Sequence, residues 1–102
     1  MKSLDSLDPL FEHRARLAVA VLLARHGEIS FSAFKQQLEM SDGNLGAQLR
    51  KLEDAEYIKL RRDFVERKPV TWYSLTRSGK SALNRHLQAL QAVINVGSIP
   101  AK

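Results

Sequence analysis

At Tyr57 the chain changes its hydrophobic period, and that switch limits the architectures open to it. Before it, Leu45, Leu49 and Leu52 recur at helical spacing. After it, Ile58, Leu60 and Arg62 alternate with Lys59, Arg61 and Asp63, and Thr71, Tyr73 and Leu75 alternate with Val70, Trp72 and Ser74. A period of 3.6 residues gives way to a period of two, so a helix is followed directly by two strands. The polar connection, roughly Asp63 to Lys68, holds Phe64 and Val65 among charges and makes the strands a hairpin. Pro69 belongs at a strand start or an edge. Thr76 then caps a long final helix from Arg77 to about Val96. On it Leu83, Leu87, Leu90 and Ile94 form one apolar stripe, expected to close the domain's own core. Ala82, His86, Ala89, Val93 and Val96 form a second stripe beside it.

Upstream, Asp8-Pro9 pairs a capping residue with the one helical position that suits proline, so a first helix starts there and ends near His26-Gly27. Ile29-Ser30 is long enough only for a bridge of strand. Ser30 or Ser32 caps a short helix carrying Phe31, Phe34 and Leu38 at helical spacing. Met40-Ser41-Asp42 is a turn, and Ser41 caps the next helix, which runs to about Ala55. The expected fold is mainly α with a small β-hairpin. At 102 residues it forms one domain over 9–96, between flexible ends at 1–8 and 97–102.

Several functions are excluded by what the chain carries. It has no cysteine, hence no disulfide framework and no thiolate metal site. Its longest apolar run, Leu17 to Ala24, falls far short of the ~20 residues that span a bilayer. No membrane association is expected, and the cytoplasm is the expected location. His13, His26 and His86 are scattered and share no metal-ligand spacing with acids. There is no glycine-rich phosphate loop, nucleophile elbow or acid pair near a histidine, so neither catalysis nor a cofactor is expected. Trp72 is read as packing on the stems of long side chains.

The net charge of +5 is unevenly spread. Residues 1–30 balance, and residues 31–58 carry three basic against five acidic groups. Residues 59–75 reverse this, with Lys59, Arg61, Arg62, Arg67 and Lys68 against Asp63 and Glu66, and residues 76–102 add four basic groups and no acid. A basic segment of this kind suits a polyanion.

The stretch "SDGNLGAQLRKL" (41–52) adds a second signal. Two glycines lie in its opening turns, each costing roughly 1 kcal/mol relative to alanine inside a helix. With Leu45, Leu49 and Leu52 turned to the core, the opposite side carries Gly43, Asn44, Ala47, Arg50 and Lys51. Such a face can lie deep in a groove. Asn44 and Gln48 are expected to reach base edges, and Arg50 and Lys51 phosphates or guanine. Free N–H groups of the first turn, beside Ser41 and Asp42, can hold a phosphate.

A short helix, a tight turn, a second amphipathic helix and a basic hairpin are the parts of a winged helix-turn-helix. "MSDGNLGAQLRKLEDAEYIKL", followed by "RKPVTWYSLTRSGKSAL", resembles the winged helix-turn-helix domains of MarR-type and ArsR-type transcriptional regulators, over roughly Asp8 to Leu90. The resemblance implies a sequence-specific regulator of double-stranded DNA, in the repressor manner. Its recognition helix would be 41–55, and Arg67 and Lys68, with Arg62 behind them, would lie on the backbone or minor groove. It also implies a homodimer through the terminal helices, and a small-molecule effector is compatible with it. The second stripe of the last helix, facing Val19, Leu22 and Leu23 of a partner's first helix, is the expected seam. Gly79 matches a family glycine placed for close packing.

Two departures stand out. Many relatives carry serine, arginine and histidine where this chain has Gly46, Ala47 and Gln48, which removes some usual groove contacts. Relatives also carry glycine before the aromatic after the recognition helix. Here Glu56 precedes Tyr57, so the helix must end without a left-handed residue or carry strain there. The thinned outer face also suits a rival reading, a winged helix that binds protein, against which the basic hairpin speaks.

Overall fold

The computed structural model describes residues 2–96; the expected flexible tail at 97–102 lies outside them. A helical turn, α1 (Lys2–Asp5), precedes a 3-10 turn (Pro9–Glu12) and helix α2 (Arg14–His26). Strand β1 (Glu28–Ser30), helices α3 (Phe31–Leu38) and α4 (Asp42–Asp54), strands β2 (Ile58–Val65) and β3 (Lys68–Leu75), and helix α5 (Arg77–Ile94) follow. The helices thus surround a three-stranded antiparallel sheet of order β1-β3-β2.

Side-chain caps set most boundaries. Ser30, Ser41 and Thr76 accept from the backbone N–H groups of Ala33, Asn44 and Gly79. The expected first helix is broken in two: Asp8 caps the 3-10 turn, and His13, at φ −80° and ψ 120°, caps α2 by accepting from Ala15 N–H. Asp8, assigned above to a flexible start, is held on three sides. Its N–H donates to His86 Nδ1 at 2.9 Å, one carboxylate oxygen accepts from Leu10 N–H at 2.9 Å, and the other accepts from the Tyr57 hydroxyl at 2.6 Å. Phe11 is buried between Tyr57 and His86, with ring centroids 5.6 Å and 5.3 Å away.

The core is formed by Val19, Ala20 and Leu23 of α2, Phe34 of α3, the three leucines of α4, and Ile58, Tyr73 and Leu75 of the sheet. Tyr73 stands opposite both Ile29 and Leu60, so β3 carries the centre of the sheet's inner face.

The end of α4 settles the question posed by Glu56. Tyr57 N–H donates to Leu52 O and Glu56 N–H to Glu53 O, and Glu56 is left-handed at φ 63°. The left-handed terminator is kept and glutamate bears its strain. Thr76 fastens onto the same point, its N–H donating to Tyr57 O at 3.0 Å and its hydroxyl to Glu56 O at 2.6 Å. A Cβ on Gly79 would come within 2.0 Å of the Tyr57 carbonyl oxygen. Close backbone approach is therefore why glycine stands at 79.

Candidate nucleic-acid interface

Helix α4 enters the surface through a turn in which Glu39, at φ 53°, ends α3 in the left-handed region. From there Asp42, Gly43, Asn44, Ala47, Arg50 and Lys51 are exposed, while Leu45, Leu49 and Leu52 are buried. A Cβ on Gly43 or Gly46 would have no neighbour within 4 Å. Nothing described in this chain requires those glycines, in contrast to Gly79. Asp42 is bridged to Lys35 of α3 at 2.7 Å, both side chains half or more exposed, which offsets an acid at the head of the helix.

Gln48 departs from the sequence reading. It is 9% exposed, and its Oε1 accepts from Arg16 Nη1 of α2 at 2.7 Å. It lies on the flank of the leucine face, so its side chain is spent inside the molecule and does not reach outward beside Asn44. Arg16, absent from the sequence-derived set, is the residue that holds it.

The wing is tighter than expected. Strands β2 and β3 stay paired out to Val65 and Lys68, leaving only Glu66 and Arg67 as the turn, at φ 52° and 67°. Two consecutive left-handed residues make the two-residue hairpin turn that normally takes Asn-Gly. Arg62, Arg67 and Lys68 are all exposed, and like Arg50 and Lys51 they form no salt bridge among the described residues.

Arg61 differs from these. It donates to Glu28 at 2.9 Å and 3.1 Å, donates to Asp63 at 2.8 Å, and lies 5.8 Å over the Trp72 ring. The hydrogen bond from Arg61 lowers the pKa of Glu28; Phe64 N–H and then Arg61 lower that of Asp63; and the two acids raise that of Arg61. Its charge is committed to the outer face of the sheet.

The proposed seam on the terminal helices is redistributed as well. Val19, Leu23 and Ala82 belong to the chain's own core, and His86 and Ala89 are 4% exposed, turned to the N-terminal segment. These five residues are covered within the chain itself. Leu22 is partly buried against the same core. On α5 the roles of the two stripes are largely exchanged. Leu83 is buried, but Leu87, Leu90 and Ile94 are exposed, together with Val93 and Val96. The helix outruns the body of the domain, so its apolar face continues past Ala89 without cover among the described residues.

Residues 15–94 match the family described as the winged helix DNA-binding domain. An uncharacterised protein of Methanocaldococcus jannaschii is 25% identical over 88 residues, which are 85% of this chain and 96% of that protein. Among solved structures, a transcriptional regulator homologue from Pyrococcus horikoshii superposes with a TM-score of 0.85 at 27% identity, covering 93% of this chain and 96% of that one. PadR of Bacillus subtilis, solved with operator DNA, gives 0.61 at 25% identity over 85% of this chain and 51% of its own. A MarR mutant from E. coli, also solved with operator DNA, gives 0.69 at 17% identity over 79% and 57%, a likeness of fold.

Proposed function

Because this chain belongs to the winged helix DNA-binding domain family, we propose that it is a transcriptional repressor that binds double-stranded DNA sequence-specifically as a homodimer. The observation that carries this reading is the outer surface of α4. Gly43 and Ala47 leave it bare, and among the described residues Arg50 and Lys51 flank it without acidic partners and no side chain packs over Gly43. That surface suits a major groove, with Ser41 and the first-turn N–H groups on a phosphate. The hairpin then brings Arg62, Arg67 and Lys68 to the backbone or minor groove. PadR of Bacillus subtilis, solved with operator DNA, supports duplex DNA as the ligand.

The dimer rests on the overhanging face of α5. Leu87, Leu90, Val93 and Ile94 are exposed along its last turns, and a second copy meeting them about a two-fold axis would pair two α4 helices, as reading two half-sites about 34 Å apart requires.

Replacing Arg67 and Lys68 together with alanine is expected to weaken binding to every duplex and to reduce the slope of log K against log salt by about 2. Fluorescence anisotropy across a salt series measures both. An unchanged isotherm and slope would remove the wing from the interface. Absence of salt-dependent binding by the parent would overturn the DNA reading altogether.

A further inference from the structure

Gln48 is the one buried polar side chain of α4, and its two unlike ends are not interchangeable. Arg16 Nη1 donates to Gln48 Oε1 at 2.7 Å, and Arg16 Nε donates to the Leu10 carbonyl at 2.6 Å. A guanidinium offers donors and no acceptor. Gln48 must therefore turn its oxygen to Arg16, and its NH2 group faces the other way. That group donates to Asn44 Oδ1, one turn earlier on α4, at 3.4 Å. Asn44 in turn directs its oxygen towards Gln48 and its Nδ2 away from it. The bond from Arg16 is charge-assisted and short, the bond to Asn44 neutral and long, so orientation is set at Arg16 and passed outward.

We propose that Arg16 and Gln48 are positioning residues that fix exposed Asn44 as a hydrogen-bond donor, so that the base opposite it is selected for an acceptor edge. Guanine presents two adjacent acceptors, O6 and N7, and thymine presents O4. Adenine sets a donor beside its acceptor and calls for both ends of the amide, so its amino group would have to share with Gln48 an Asn44 oxygen already turned inward. The selectivity of an outward residue is thereby dictated by two side chains that touch no DNA. This inference rests on the placement of α4 in the major groove.

Selection of bound duplexes from a random pool tests it, with affinities for single-base variants of the selected site measured by anisotropy. Asn44→Ala identifies the position that Asn44 reads, where the parent is expected to prefer guanine or thymine. Gln48→Glu still accepts from Arg16 but has no donor for Asn44. The Asn44 amide then turns its NH2 group inward and its oxygen outward. Preference at that one position should pass to cytosine or adenine, with a change of about tenfold in the affinity ratio. Gln48→Met, which keeps the volume and frees Asn44, should relax the preference at the same position and let adenine gain. It decides the matter if Gln48→Glu does not fold. A purely structural role for Gln48 would lower affinity for all sites alike.

If the folded Gln48 variants bind DNA with the parent's preference, or if Asn44→Ala alters no position, the relay is overturned and DNA binding stands. If the parent binds no duplex at any salt concentration, the groove reading fails and the relay with it.

Discussion

At Gly79 one hydrogen atom decides whether α5 can begin where it does, since a methyl group there would meet the Tyr57 carbonyl oxygen at 2.0 Å. Gly79→Ala is expected to cost about 3 kcal/mol or more, because the clash is with backbone that Thr76 also grips. Glu56→Gly should run the other way, gaining about 1 kcal/mol by relieving a left-handed glutamate. Urea unfolding of both variants checks the pair, and equal signs would contradict the geometry. Tyr57 adds a pH dependence. Burial first, and then its bond to Asp8, push its phenol up to about 12, above its ordinary value. Its contribution is therefore complete below about pH 10 and is lost as pH rises through about 12. Tyr57→Phe should lose about 1 kcal/mol at neutral pH, with the difference from the parent shrinking at high pH. Urea midpoints at pH 8 and above pH 11 measure this, and a constant difference would contradict it.

Among the elements, the hairpin shows a conflict between stability and charge. Glu66 and Arg67 both occupy left-handed backbone, at a cost of roughly 1–2 kcal/mol each for ordinary side chains. Replacing the pair by Asn-Gly should raise stability by about 1–2 kcal/mol while lowering the salt slope of DNA binding, since a basic tip is lost along with an acid. A thermal melt and a salt titration on one variant read both effects. The hairpin and every helix after β1 were legible in the sequence, because period and capping residues are local signals: Ser41, Thr76 and the alternation after Tyr57 sufficed. The break at His13 was not, because α2 is separated from the 3-10 turn by a histidine acting as a cap, a role for which its residue type gives little warning. Gln48 was misplaced for a similar reason. It lies at the margin of the leucine face, and its partner Arg16 is 32 residues away, beyond the reach of any wheel.

For the whole molecule, the sequence counted the apolar stripes of α5 correctly and misassigned their partners, because a wheel reports directions around a helix and not which of them the rest of the chain covers. His86 and Ala89 are covered because the N-terminal segment folds back over them; Leu87 and Leu90 are exposed on the side of α5 turned from that cover, and Ile94 lies beyond it. Leu90→Glu should therefore separate the proposed dimer without unfolding the chain, whereas Ala89→Asp should destabilise the monomer itself by burying a charge. Sedimentation together with circular dichroism distinguishes them, and a parent that sediments as a single monomer would remove the dimer. The strand order has a consequence for synthesis on the ribosome. Strand β1 finds its partner only in β3, where Glu28 pairs with Ser74. At about 5–20 residues per second, its edge waits roughly 2–9 seconds for that partner to be made. During that interval the nascent α3 and α4 have no sheet to pack on, and the apolar faces of Phe34, Leu45, Leu49 and Leu52 wait for the strands that will cover them.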